Sequence, residues 1–137
     1  MSARVSVGEN RNIVTSFYAE AINGRDLGAV DRLVSEDFVH NGETRGRAGQ
    51  RQAVKTFLDA FEDLHNEIEL MLADGDLVAA HQTWTGTHSG EFAGVPATGK
   101  RVEFTSTAML RIEHGLIAEA WDEVDMLGLM QQLGAAS

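Results

Sequence analysis

The sequence predicts an α+β fold, with N-terminal helices packed on one face of an antiparallel sheet. Two observations carry this. Apolar residues recur at helical spacing as far as Phe61, and after His65 the period shortens to two. The alternating segments are joined by tight turn dipeptides, which make neighbouring strands antiparallel and keep helices and strands in separate blocks. With 137 residues, the chain reads as a single domain spanning residues 1–137.

Each element has its own signal. Ile13, Val14, Phe17, Tyr18, Ala21 and Ile22 form one helical stripe, and Gly24 supplies its stop. Asp26 caps a second short helix carrying Leu27, Val30, Leu33 and Val34. "EDFVHNGETRGRAG" reads as a loop leading to a third helix with Val54, Phe57, Leu58 and Phe61 on one side. A first strand follows, with Ile68, Leu70 and Leu72 alternating against Glu67, Glu69 and Met71. Asp74-Gly75 suits a hairpin turn. A second strand runs from Leu77 to Thr87, and a glycine-rich connection, "HSGEFAGVPATGK", precedes a third from Val102 to Ile112. His114-Gly115 turns the chain into a fourth strand within "IAEAWDEVDM", and "LGLMQQLG" ends it as a short helix or tail.

Successive strand residues point to opposite faces, so parity sorts the sheet. In the third strand Val102, Phe104, Ser106, Ala108, Leu110 and Ile112 share the inner face. In the second, Val78, Ala80, Gln82 and Trp84 do so, and in the fourth Leu116, Ala118, Ala120, Asp122 and Val124. Asp122 is the one carboxylate in these three inner rows. An unpaired buried carboxylate is costly and responds with a raised pKa. Its small neighbours Ala118, Ala120 and Ala108 leave space instead of filling it. An inward acid beside missing volume is the pattern of a ligand cavity; the alternative is a hydrogen-bonded structural aspartate.

Composition excludes several classes. The chain is 43% hydrophobic and 23% charged, as a globular protein is. A net charge of −10 without a basic cluster argues against nucleic acid and anionic membranes as partners. There is no cysteine, so disulfides, thiolate metal sites and cysteine nucleophiles are absent. "MSARVSVGEN" has no apolar leader core, and no apolar run is long enough to span a bilayer. A cytoplasmic location is the expectation.

The stretches "GTHSGEFAGVPATGKRVEFT" and "RIEHGLIAEAWDEVDMLGLMQQLG" resemble the SnoaL-like polyketide cyclases, ester cyclases of the nuclear transport factor 2-like superfamily. The resemblance covers nearly the whole chain and is strongest from Asp74 to Gly134. It implies a cone-shaped barrel, a curved antiparallel sheet whose N-terminal helices enclose a deep apolar pocket. It also implies an intramolecular aldol closure on a polyketide-like or polycyclic substrate, with neither metal nor organic cofactor. The family's catalytic acid/base is an aspartate on the strand before the final "D…G…QLG" segment, which falls on Asp122. A carboxylate there can take a proton from a carbon between carbonyls and return it to the nascent alkoxide, while the pocket folds the substrate.

The chain departs from the family at several positions. An inward glutamine and histidine of the cyclases correspond to Ser106 and Ala108, and a pocket asparagine to His40. In this reading His40 is a second acid/base or orients Asp122; otherwise it is a solvated turn residue beside Asn41 and Gly42. Gln82, Trp84, Ser106, Phe104 and Tyr18 are candidate substrate contacts. Against this, Trp84 and Tyr18 also suit the core, and Gln82 and Ser106 could merely satisfy backbone groups. His81 and His88 could suggest a metal site, but His81 points outward and no other His or carboxylate falls at a ligand-like spacing from it, so none is expected. "GEFAGVPATG" lacks the context of a phosphate loop and suits a rim over the pocket mouth. The outer face, with Thr83, Thr85, Thr105 and Thr107 around Met109, Ile117 and Trp121, suggests a partner patch; the resemblance implies that a homodimer forms through it, and the alternative is a patch covered by the C-terminal tail.

Four functions fit: a cofactor-independent cyclase or isomerase acting through Asp122, an epoxide hydrolase, a cofactor-free hydroxylase, and a non-catalytic small-molecule binder. The hydrolase lacks its expected inner-face Arg-x-Asp, since Arg111 and Glu103 point outward.

Overall fold

The structure, a computed structural model, describes residues 6–135. Residues 1–5, which open the stretch read above for a leader, and residues 136–137 lie outside that range. Helix α1 (Val7–Ser16) starts where the Ser6 hydroxyl accepts the Glu9 amide at 3.1 Å, an N-cap. It runs into a π-helical segment, Phe17–Asn23. The wider turn brings the sequence neighbours Phe17 and Tyr18 both into the interior, and such segments recur at functional sites. Gly24 caps the segment, its amide donating to the Ala19 carbonyl at 2.8 Å, at a place where a Cβ would lie 2.7 Å from the Glu20 carbonyl oxygen. Asp26 then accepts the Gly28 amide at 2.9 Å and starts α2 (Gly28–Leu33).

The expected loop after α2 is instead a strand and half of a hairpin. β1 (Val34–His40) turns through Asn41-Gly42, both with positive φ, into β2 (Glu43–Thr44). Val34, expected at the end of the second helix, begins β1. Helix α3 (Gly46–Ala60) follows and packs chiefly on β1. The remaining strands are β3 (His65–Asp74), β4 (Leu77–Thr87), β5 (Arg101–Glu113) and β6 (Leu116–Val124), and α4 (Met126–Gln132) closes the chain. The architecture is α+β with one curved sheet in the order β2-β1-β6-β5-β4-β3. The sheet is mixed, because β1 joins β6 parallel while the other pairings are antiparallel. Among the described residues no helix is long and apolar enough to cross a membrane.

β5 alternates buried and accessible residues along almost its whole length, as parity requires. β3 and β6 do not, because each contains a bulge. In β6 the register jumps from Arg111↔Glu119 to Ile112↔Ile117, leaving Ala118 unpaired. Ile117, expected on the outer face, is therefore turned inward and is 2% exposed. In β3 the jump falls at Glu69. Ile68 points inward, but Leu70 and Leu72 are swung to the outer face, where they are 62% and 66% exposed. Parity counted without a bulge fails on one side of each slip.

The glycine-rich connection docks on α3 rather than lining the hollow beneath it. Phe92 packs against Phe57 and Phe61 with ring centroids 5.1 and 5.5 Å apart. His88 is fully buried against Phe61; its Nδ1 meets the Thr98 hydroxyl at 2.9 Å and accepts the Thr98 amide at 3.2 Å. α4 is capped by Asp125, which accepts the Gly128 amide at 2.9 Å. Gln132 clamps it to β5 by accepting the Glu103 amide and donating to the Glu103 carbonyl. The tail thus lies beside β5 and leaves Leu70, Leu72 and Met109 exposed.

Candidate active site

Asp122 projects from β6 into the space between the sheet and the helices. Its cross-strand neighbour is Ala108, and Ala120 precedes it in the same inward row. These alanines line a lobe of about 50 Å³, which shares much of its wall with a second of about 110 Å³. Both lobes are lined by Phe17, Tyr18, Arg45, Gln50 and Asp122. Phe57, Trp84 and Phe104 form an aromatic wall of the larger lobe, with Trp84 stacked on Phe104 at 6.0 Å. Val34, Phe38, Leu110 and Ile117 enclose the smaller. The hollow is smaller than an ordinary drug-sized site. A wider, open concavity of about 600 Å³ lies on the other side of Asp122, which lines it together with Asn41, Ala108, Thr107, Met109 and Trp121.

Asp122 is not an unpaired buried acid. One third of its side chain is exposed, and His40 Nε2 lies 2.7 Å from its Oδ1. The parallel β1–β6 pairing makes this contact by setting His40 opposite Ala120. Asn41, held in the left-handed region at the hairpin turn, accepts the Asp122 amide at 2.9 Å. Its own amide lies 3.4 Å from Oδ1. Oδ1 is thus spoken for, while Oδ2 accepts no hydrogen bond from the described residues.

Tyr18 faces both lobes. Burial pushes its phenol up to about 12, with Gln82 opposing the shift and the nearby Asp122 charge adding to it. Tyr18 therefore stays a neutral hydroxyl throughout the physiological range. Gln82 and Ser106 are buried and line neither lobe. Ser106 accepts the Trp84 indole N–H at 2.8 Å and donates to Gln82 Oε1 at 3.2 Å, and Asn66 donates to the same oxygen at 3.0 Å. They form a polar network that fixes the Trp84 wall.

The fold brings together Asp122, His40, Tyr18, Trp84 and Phe104 around one hollow and leaves Gln82 and Ser106 outside its lining. Reading the sequence passed over Arg45, Gln50 and Asn41. Asn41 had a signal, because Asn-Gly between strand-like residues is a strong hairpin mark. Arg45 and Gln50 had none, since both precede the apolar stripe of α3. His81 is exposed and meets the Thr107 hydroxyl at 2.9 Å. Arg111 lies on the outer face, paired with Asp76 and Glu119 and over the Trp121 ring. Among the described residues no group of three or more His, Asp or Glu is placed to hold a metal ion.

The family model of the SnoaL-like polyketide cyclases matches residues 12–133. The chain belongs to that family. It is 36% identical over 96 residues to the aklanonic acid methyl ester cyclase DnrD of Streptomyces peucetius, and equally so to DauD of Streptomyces sp. strain C5. Each match takes in 69% of this chain, but only 66% and 60% of those relatives' lengths. The fold superposes on AclR of Streptomyces galilaeus, a protein whose suggested activity is hydroxylation. The TM-score is 0.87 at 33% identity, covering 96% of this chain and all of AclR. This SnoaL-like chain is thus a relative of polyketide cyclases, and its α+β cone is the family's.

Proposed function

We propose that this protein is a cofactor-independent cyclase that closes a ring on a polyketide-like ester by an intramolecular aldol reaction, with Asp122 as acid and base. The observation that carries this reading is the state of the Asp122 carboxylate. One oxygen is bound by His40 at 2.7 Å, and the other accepts no hydrogen bond from the described residues, on a side chain that lines a hollow walled by aromatic rings. The named activity of DnrD and DauD, cyclisation of aklanonic acid methyl ester, supplies the substrate class.

In this mechanism the open Oδ2 removes a proton from the carbon between two carbonyls. The electron pair moves onto a carbonyl oxygen as an enolate. The enolate carbon attacks a second carbonyl in the same molecule, and that oxygen takes the proton back from Asp122. His40 and Asn41 fix the carboxylate so that one oxygen faces the substrate. Phe57, Trp84 and Phe104 give a flat, apolar surface for a conjugated substrate.

Asp122→Asn keeps the shape and the Asn41 clamp but removes the base. The expected result, with an aklanonic-type methyl ester and product analysis, is a fall in turnover of about a hundred- to ten-thousand-fold. Full activity of that variant would end the mechanism. The likeness to AclR favours one alternative, oxygenation of a substrate that itself reacts with oxygen. Oxygen uptake with a reduced quinone-type substrate, without ring closure, would select it.

We also propose that the outer face is where two copies of the chain meet. Met109, beside Trp121, and Leu70 and Leu72 on β3 are exposed there, in a chain whose charge of −10 otherwise favours solvation.

A further inference from the structure

We propose that Arg45 is the oxyanion-binding group of this site: its guanidinium receives the enolate oxygen of an acidic β-dicarbonyl substrate while Asp122 handles the proton. This rests on the reading of Asp122 as the base and extends it by naming the group that bears the negative charge.

Three observations converge on Arg45. It lines both lobes of the hollow together with Asp122, and also an open concavity beside the β1–β2 hairpin, yet it forms no ion pair with Asp122 or any other carboxylate among the described residues. A cation and an anion thus share one hollow without neutralising each other. Nη1 donates to Gln50 Oε1 at 2.8 Å, and this one neutral acceptor leaves the guanidinium's remaining donors for a guest. The third observation is steric. A Cβ on Gly49 would stand 2.7 Å from Arg45 Cγ, so the arginine can lie along the first turn of α3 only because Gly49 has no side chain.

Charge balance favours the assignment. Deprotonation by Asp122 moves negative charge from the carboxylate onto a carbonyl oxygen of the substrate. Arg45 stays positive throughout, so a guanidinium donor favours the enolate over the neutral dicarbonyl. When the second carbonyl has been attacked and protonated, the charge returns to Asp122 and Arg45 lets the product go. No other reactant is required.

Two small probes separate this role from catalysis. Dimedone is an enolate at neutral pH, and its methyl enol ether has nearly the same shape without the charge. Binding is read by calorimetry or ligand-observed NMR. The comparison is made in Asp122→Asn, because in the reaction the enolate forms only once Asp122 holds the proton, and an ionised carboxylate would repel a preformed anion. That protein should prefer dimedone to the ether by about tenfold or more, and the wild type by less. Adding Arg45→Met should abolish the preference, adding Arg45→Lys should keep part of it, and adding Gly49→Ala should weaken it with the arginine still present. Equal binding of both probes to Asp122→Asn, a preference that survives the addition of Arg45→Met, or no saturable binding of either probe would overturn the assignment. Should the Arg45→Met protein not fold, Arg45→Lys and Gly49→Ala carry the same comparison. Loss of activity in Asp122→Asn tests the base alone, so the two claims fail separately.

Discussion

Asp63 and Asp122 are both partly exposed aspartates that tie separate pieces of chain together, but they do so differently. Asp63 spends both oxygens. Oδ1 accepts the Thr87 amide at 2.6 Å, and Oδ2 takes the Thr87 hydroxyl at 2.9 Å and Arg101 at 3.4 Å. The Thr87 amide, chiefly, holds its carboxyl below the usual carboxylate range. Asp122 spends one oxygen on His40 and Asn41 and keeps the other unpaired beside a hollow. A carboxylate fully occupied by the protein serves the fold; one half-occupied beside a hollow keeps an acceptor in reserve.

The comparison can be broken by substitution. The largest expected effect is the loss of turnover in Asp122→Asn, and it should come with little change in melting temperature. Next is Ile117→Ala, which opens the floor of the smaller lobe. Its expected cost is about 2–4 kcal/mol, read by urea unfolding. A cost within about 0.5 kcal/mol would put Ile117 on the surface and remove the Ala118 bulge that aligns it with Asp122. Asp63→Asn should cost about 0.5–1 kcal/mol after allowance for solvent screening, with activity unchanged. A carboxyl whose folded pKa is lowered contributes stability above its ordinary value of 3.8, lost as pH falls through the folded one. The difference between Asp63→Asn and wild type should therefore shrink in acid unfolding at low pH. Smallest is Leu72→Ser, expected to shift chain stability by no more than about 0.5 kcal/mol while weakening self-association in light scattering.

The sheet's interior was readable where pairing is regular. β4 and β5 pair without a slip from Leu77↔Arg111 to Thr87↔Arg101, so counting by twos placed Gln82, Trp84, Phe104, Ser106 and Ala108 correctly, and Asp122 by extension. The turn at His114-Gly115 was legible because both residues need positive φ. The bulges were not. Nothing local in "LIAEA" or "IELML" marks Ala118 or Glu69 as the residue to be skipped; the slips satisfy burial on neighbouring strands. The parallel β1–β6 pairing was equally hidden, because its two strands are far apart in sequence. Taking 36–49 as a loop followed from missing that partner, although Asn41-Gly42 signalled the hairpin. His40 entered as a candidate only through the resemblance, and Arg45 not at all.

The parallel pairing has a consequence for how the molecule is made. His40 and Asp122 are separated by 82 positions, so their contact closes one of the longest loops in the chain. Contacts this distant form late, after hairpins such as β3–β4 and β5–β6 have zipped locally. A refolding chain should therefore regain most of its strand signal before the His40–Asp122 contact exists, and in a nascent chain that contact must wait until β6 has emerged and found β1.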